Sequence, residues 1–153
     1  MTDWPSVHQH VVDLFAKGWA HPSPDAWDDM LADDAEFAQP LLPNARGKAA
    51  WRDETRRLLT LAPDLHGEVV SWAGRDDVVF IDVELRATVG GKPLVFRSFD
   101  KLLISADGRV LRREAFFDPG PVALALLLRP SSWPAWWRSG TGPFTARRRL
   151  LRR

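Results

Sequence analysis

The chain contains no cysteine and no tyrosine. Without cysteine it can form no disulfide, no thiolate metal site and no cysteine nucleophile. Long apolar runs are also missing, since the longest one, residues 122–128, is far below the roughly 20 residues that a membrane-spanning helix needs. Residues 1–10 lack the basic segment and apolar run of a signal peptide. We therefore expect no membrane span and a cytoplasmic location.

Large apolar rings are abundant, with eight Trp and eight Phe among 153 residues. The length fits one domain with a substantial core. Apolar residues make up 45% of the chain and charged residues 27%, as in ordinary globular proteins. Rings without phenol hydroxyls suit a large core or an apolar ligand cavity. We expect core packing to account for most of them.

Positive charge is concentrated at the C-terminus, where Arg138–Arg153 contains six Arg and no acidic residue. The rest of the chain carries 15 basic and 20 acidic side chains, a net charge of −5. Such a tail could be solvated, or could contact nucleic acid, an anionic surface or an acidic partner. The body contains no nucleic-acid-binding module, so we expect no nucleic acid partner. We divide the chain into a domain, residues 1–130, and a Trp/Arg-rich, partly flexible extension, residues 131–153.

Hydrophobic periodicity predicts helices followed by a sheet. The predicted helices are Trp4–Gly18, Ala26–Leu31, Lys48–Leu61 and Val122–Arg129. Short strands are predicted at Ala35–Ala38 and Glu68–Trp72, and long ones at Val78–Val89, Leu94–Ser105 and Val110–Asp118. Strict alternation in the long strands and the turn pairs Gly90-Gly91 and Asp107-Gly108 indicate an antiparallel meander.

Four local patterns occur in a characteristic order along residues 7–119. They are Met30-Leu31-Ala32-Asp33-Asp34-Ala35, Gly47 followed by the helix with Leu58 and Leu59, Ala62-Pro63-Asp64-Leu65, and Asp107-Gly108-Arg109-Val110 leading to Phe116-Phe117-Asp118. In this order the chain resembles the SnoaL-like and ketosteroid isomerase-like proteins of the nuclear transport factor 2 superfamily. The resemblance implies an α+β cone, with helices packed on a strongly curved antiparallel meander sheet. It does not imply one activity, because this fold hosts isomerases, cyclases, hydrolases and non-enzymes.

The resemblance also implies functional positions, and most of the corresponding residues have changed here. The proton-shuttling carboxylate of ketosteroid isomerase corresponds to Gln39, an amide that cannot act as a base. Its tyrosine donor corresponds to Phe15, and its protonated acid to Asp100. The inward Asp of SnoaL-type cyclases and limonene-epoxide-hydrolase-like enzymes corresponds to Ala115. Glu114 is adjacent, but its side chain points to the opposite face unless a bulge redirects it.

Strand alternation predicts what remains inside the cone. With Asp100 directed inward, Phe96 and Ser98 share its face, and Arg113 and Phe117 face inward on the last strand. The expected pocket is mostly apolar with a few convergent polar groups. Its candidate substrate-binding residues are Phe15, Trp19, Phe37, Gln39, Phe96, Ser98 and Phe117.

Asp100 and Arg113 are the candidate catalytic residues, and two interpretations of them remain open. In the first, Asp100 is an acid kept neutral by apolar surroundings and Arg113 holds a substrate carboxylate or enolate. In the second, the two form a buried structural ion pair. These interpretations conflict, because an ion pair keeps the carboxylate ionised and removes the acid.

Two functional classes follow. The first is a cofactor-independent SnoaL-like protein that binds a small, largely apolar ligand, with or without acid/base isomerase, cyclase or hydrolase chemistry. The second is a non-catalytic binding or dimerisation module. The outer sheet face, with Asp82 and Glu84, predicts a homodimer, and the four His lack metal-ligand spacing. Trp133–Arg153 could also dock on a partner or a membrane surface.

Overall fold

Four helices and six strands follow one another within residues 1–141, which are the residues that the computed structural model describes. The helices are α1 Trp4–Ala20, α2 Lys48–Leu61, α3 Pro119–Leu127 and α4 Trp133–Ser139. The strands are β1 Leu31–Ala38, β2 Ala45–Arg46, β3 His66–Arg75, β4 Val78–Val89, β5 Lys92–Ile104 and β6 Val110–Phe116. A short 3₁₀ turn, Pro130–Ser132, joins the last two helices.

One curved sheet contains all six strands in the order β2-β1-β6-β5-β4-β3. Every neighbouring pair is antiparallel except β1 and β6, which run parallel. The three strands of the predicted meander are β4, β5 and β6, joined by tight turns, and a further tight turn adds β3 to them. The predicted α+β cone, with helices packed on a curved meander sheet, is confirmed.

Helix α1 packs its apolar face across β3 and encloses the core. The helix begins where the Asp3 carboxylate accepts hydrogen bonds from Ser6, which satisfies an otherwise free backbone donor. Its buried face includes Val11, Phe15 and Trp19. Gly18 lies on the same side, against the Trp27 indole, where a Cβ atom would overlap the ring. Glycine is required here because the indole contacts the helix backbone directly.

The predicted helix Ala26–Leu31 is wrong. Residues 24–30 form turns, and β1 already begins at Leu31 rather than at Ala35. Asp33 and Asp34 lie exposed on this strand and form ion pairs with Lys48 and Arg46. The local sequence favours a helix, but Leu31 pairs with Val110 of β6 and the chain continues from there as a strand.

Most other elements lie close to their predicted positions. The predicted helix Lys48–Leu61 and strand Val78–Val89 have the observed bounds, whereas β3 continues three residues past Trp72. Helix α3 begins at Pro119, three residues before the predicted start, because Asp118 caps it. The Asp118 carboxylate accepts a hydrogen bond from the backbone N–H of Gly120 at 2.9 Å and so satisfies a free donor at the start of the helix.

Helix α4 lies on α2 and belongs to the predicted C-terminal extension. Of the extension's Trp residues, Trp133 and Trp137 are exposed and Trp136 is half-buried. The extension's remaining residues, 142–153, with the Arg cluster, lie outside the described residues. Across residues 1–141, every helix is too short or too polar to cross a membrane.

Candidate functional site

A buried ion pair joins the two central strands of the sheet. The Arg113 Nε donates to the Asp100 Oδ2 at 2.6 Å, from β6 to β5. The side chains are 0% exposed for Asp100 and 5% exposed for Arg113. The strand register places Asp100 opposite Ala115, whose small side chain leaves space for the long one of Arg113, two residues away. The structure therefore contains the ion pair of the second interpretation.

Two further polar side chains complete this cluster. Asp100 Oδ1 accepts a hydrogen bond from Ser98 Oγ at 2.7 Å, so that both carboxylate oxygens are engaged. On the other side, Arg113 Nη1 donates to Gln39 Oε1 at 3.0 Å. Both oxygens of the carboxyl group therefore act as hydrogen-bond acceptors, one from an Arg and one from a Ser. Asp100 is thus arranged as a counter-ion and not as a proton donor.

An aromatic column supports the guanidinium of Arg113. The guanidinium carbon lies 4.9 Å from the centre of the Trp51 ring, and Trp51 stacks on Phe37 at 4.9 Å. Trp27 meets Trp51 edge to face at 5.5 Å, and Trp19 meets Trp27 at 5.0 Å. The contact with Trp51 fixes the plane of the guanidinium and adds a cation–π attraction.

An apolar cavity of about 260 Å³ lies between the sheet and helices α2, α3 and α4, and the polar cluster contributes part of its wall. Six of the predicted site residues line it: Trp19, Gln39, Phe96, Ser98, Arg113 and Phe117. Phe96 and Phe117 contact each other there, with ring centres 5.4 Å apart. Gln39, Ser98 and Arg113 therefore lie together in one region of a mostly apolar lining, which also includes Thr141 beyond α4.

Three predicted site residues lie behind the cavity wall. Phe15 is a core residue of α1, and Phe37 lies beneath the cluster against Trp51. Asp100 is fully buried below Ser98 and Arg113. Strand parity identifies the inward direction of these side chains but not their depth, and so it does not separate cavity lining from core.

The helical wall of the cavity was not predicted. It consists of leucines from α2 together with residues of α3 and α4: Leu58, Leu61, Val122, Ala123, Leu126, Leu127 and Trp136. Leu41, Leu42 and Leu65 from the connecting loops complete it. The sequence signal was the run 122–128, which is apolar almost all round and therefore had to be covered on one side. Periodicity does not indicate which surface covers it.

The lining determines what the cavity can do chemically. Among residues 1–141, the side chains that line the cavity include no carboxylate and no imidazole. Arg113 is the one ionisable residue among these described lining residues. Glu114 lies on the outer face and pairs with Arg112 at 2.6 Å, so no bulge turns it inward. Within the same residues, His, Asp and Glu do not form a group of three that could hold a metal ion. The cavity offers hydrogen-bond donors and apolar surface.

The protein is an α+β domain in which helices cover a curved β-sheet and enclose an apolar cavity with a small polar cluster. These features define a cone-shaped domain of the ligand-binding type. The profile of the SnoaL-like domain matches residues 11–113, about two thirds of the chain. The protein therefore belongs to the SnoaL-like domain family. Comparison with curated proteins gives no match.

Solved structures show the same fold at low sequence identity. A protein of ketosteroid isomerase-like fold from Catenulispora acidiphila, in complex with trimethylamine, superposes with a TM-score of 0.70 at 17% identity, covering 80% of this chain and 95% of that one. A protein from Jannaschia, assigned as a SnoaL-like polyketide cyclase, gives 0.70 at 18%, covering 82% and 94%. AclR from Streptomyces galilaeus, assigned as a hydroxylase, gives 0.68 at 16%, covering 82% and 98%.

Proposed function

We propose that this protein binds a small, largely apolar organic molecule in its cavity, with an oxygen acceptor of the ligand directed at Arg113. The observation that carries the proposal is the convergence of Arg113, Gln39 and Ser98 on one region of an apolar wall. Ligand sites commonly combine an apolar lining with a few placed polar groups. The complex of the structural neighbour with trimethylamine supports a small molecule as the occupant of such a domain.

The charge balance of the cluster selects the kind of acceptor. Asp100 already neutralises Arg113 through a direct hydrogen bond, and a ligand carboxylate would add a second negative charge to a buried site. Burying an uncompensated charge is costly, whereas a carbonyl or hydroxyl oxygen needs only a donor. We therefore expect a neutral ligand, such as a ketone, ester or alcohol with an apolar skeleton.

The test is a binding screen with matched ligand pairs that differ only in one carbonyl group. Binding can be followed by backbone chemical shifts in NMR spectra. Leu61→Trp, which fills the cavity, should abolish binding of every ligand. Gln39→Leu should weaken the carbonyl ligand about three- to tenfold and leave its carbonyl-free partner unchanged, as expected for one hydrogen-bonded group.

Leu59→Trp is the matched control, because Leu59 is on α2 but does not line the cavity. Its ligand binding should equal that of the wild type. Binding that survives Leu61→Trp as well would place the ligand elsewhere and contradict the proposal.

Catalysis is the second candidate function. A buried guanidinium at the wall of an apolar cavity is suited to stabilise an enolate or oxyanion, as isomerase, cyclase or hydrolase chemistry requires. Asp100 could serve as the acid or base only after leaving Arg113 and Ser98. Turnover of a carbonyl or epoxide substrate that Asp100→Asn abolishes, while ligand binding persists, would establish this function. Absence of turnover across such substrates would favour binding alone.

The outer face of the sheet supports a homodimer, which we also propose. Phe80, Phe99 and Phe116 are all more than half exposed there, and the Cα atoms of Phe99 and Phe116 are register partners. The charges between them are paired within the chain, Asp82 with Arg97 and Glu114 with Arg112. A face that is apolar and internally neutralised fits a second copy of itself.

Light scattering after size exclusion tests the dimer. The wild type should have twice the chain mass, and Phe99→Glu should give a monomer with an unchanged circular dichroism spectrum. A monomeric wild type at micromolar concentration would contradict the proposal. The cytoplasmic location and the independence from cofactors inferred from the sequence stay predictions.

A further inference from the structure

Helices α3 and α4 also present an apolar surface to solvent, and of its residues only Leu127 lines the cavity as well. On helices α3 and α4 and at Leu128, which directly follows α3, five large side chains are exposed: Leu124, Leu127, Leu128, Trp133 and Trp137. Leu128 is 75% exposed and Trp137 is 58% exposed. We call these five residues the terminal apolar patch. Exposed apolar groups concentrated on one short segment indicate an interaction surface.

The charge of the same region is of one sign. The 35 residues after Asp118 contain seven Arg and no Asp, Glu, Lys or His. The other 118 residues carry 14 basic and 20 acidic side chains, a net charge of −6. Two of the seven Arg, Arg129 and Arg138, lie on the described part beside the patch. The chain therefore combines an acidic body with an apolar, cationic end.

We infer that the terminal apolar patch, together with Arg129 and Arg138, docks the protein on an anionic lipid bilayer surface. Leu and Trp side chains insert into the boundary between headgroups and acyl chains, where Trp is favoured. Arg residues next to them attract anionic headgroups. A nucleic acid fits less well, because exposed leucines contribute nothing to phosphate or base recognition. A protein partner would have to be both acidic and apolar.

The attachment of the patch to the body supports a surface role and not insertion across the membrane. Arg129 Nη1 donates to the carbonyl oxygens of Val89 and Lys92, both at 3.1 Å, and ties the connection between α3 and α4 to the β4–β5 hairpin. Trp133 Nε1 donates to the Leu126 carbonyl at 3.0 Å. These bonds hold the two helices against the domain with the patch outward. The same helices form one wall of the cavity, which docking would place next to the bilayer.

Vesicle flotation of the full chain tests this inference. Vesicles of phosphatidylcholine alone are compared with vesicles that contain phosphatidylglycerol, at low and high salt. We expect flotation with the anionic vesicles at low salt and much less at high salt, since ions screen the Arg attraction. The double variant Leu128→Glu/Trp137→Ser should lower the apparent partition coefficient tenfold or more, about the effect of losing one buried Leu-sized side chain.

Val70→Ser is the matched control, because Val70 is an exposed apolar residue on β3, outside the patch. It should float like the wild type, and all variants should keep the circular dichroism spectrum. The inference is overturned if the wild type does not float with anionic vesicles. It is also overturned if the double variant floats equally well, or if the wild type binds a single-stranded oligonucleotide more tightly than the vesicles.

Discussion

Arg113→Met should be among the most destabilising single substitutions in this chain. The new side chain retains much of the length and apolar stem of Arg113 but leaves the Asp100 carboxylate buried with only Ser98 as a donor. Removing one member of a buried ion pair typically costs about 3–5 kcal/mol. The contact with Trp51 is lost as well, which adds a smaller cation–π contribution.

The loss is large on the scale of whole-domain stability, which is roughly 5–15 kcal/mol. With a urea m-value of about 2 kcal/mol/M, the unfolding midpoint should fall by roughly 2 M. Urea denaturation followed by Trp fluorescence and by circular dichroism measures this shift. Both signals are needed because loss of the guanidinium also changes the surroundings of Trp51.

A double-mutant cycle separates the charge effect from loss of packing. Asp100→Leu alone leaves Arg113 without its counter-ion, whereas Asp100→Leu/Arg113→Met leaves neither charge buried. We expect the double variant to be more stable than Arg113→Met by about 2 kcal/mol or more, since apolar replacement of a whole buried pair is often tolerated. If Arg113→Met lowers the midpoint by less than 0.5 M (about 1 kcal/mol), or if the two single effects simply add, the buried ion pair does not exist in solution.

Three further substitutions test separate elements of the fold. Gly18→Ala, which would stabilise an ordinary helix, should destabilise this chain by about 1–3 kcal/mol in urea titrations, because the new Cβ would overlap the Trp27 indole. Asp118→Ala removes the α3 cap and should lower stability by about 1 kcal/mol in the same assay. Hydrogen bonding from Thr88 lowers the pKa of Asp64 in the folded protein below its ordinary value of 3.8. The Asp64 carboxylate therefore contributes to folding stability above pH 3.8, and this contribution is lost as the pH falls through the pKa of the folded state. Asp64→Asn should therefore reduce stability at neutral pH and flatten its acid dependence below pH 4, as measured by midpoints from pH 2 to 7.

The meander could be predicted from the sequence because its signals are local. Alternation in β4 and the turn residues Gly90, Gly91 and Gly108, all with positive φ, fix both strands and connections. The start of β1 could not be predicted in this way. Residues 26–31 have helical character by themselves, and only their neighbours in space, β6 and β2, make residues from Leu31 onward a strand.

The polar cluster could be predicted in part, because strand alternation is also a local signal. Parity along β5 and β6 places Asp100 and Arg113 on one face, but their separation depends on the register between the strands, which no local signal fixes. Trp51 was missed as the partner of the Arg113 guanidinium, because helical periodicity shows only that its side faces the core. The cavity wall from α3 and α4 depends on packing between segments distant in sequence, and so it appears only in the folded chain.

Gln39 and Ala115 replace the carboxylates that act in catalysis in proteins of related fold, and both replacements avoid additional buried negative charge in this structure. A carboxylate in place of Gln39, or one in place of Ala115, would join Asp100 around a single guanidinium and leave negative charge buried without compensation. Gln39 instead presents a neutral oxygen to Arg113, and Ala115 leaves space opposite Asp100. One carboxylate then matches one guanidinium, and the remaining groups are neutral. The cluster is balanced without a ligand charge, as the proposed binding of a neutral ligand requires.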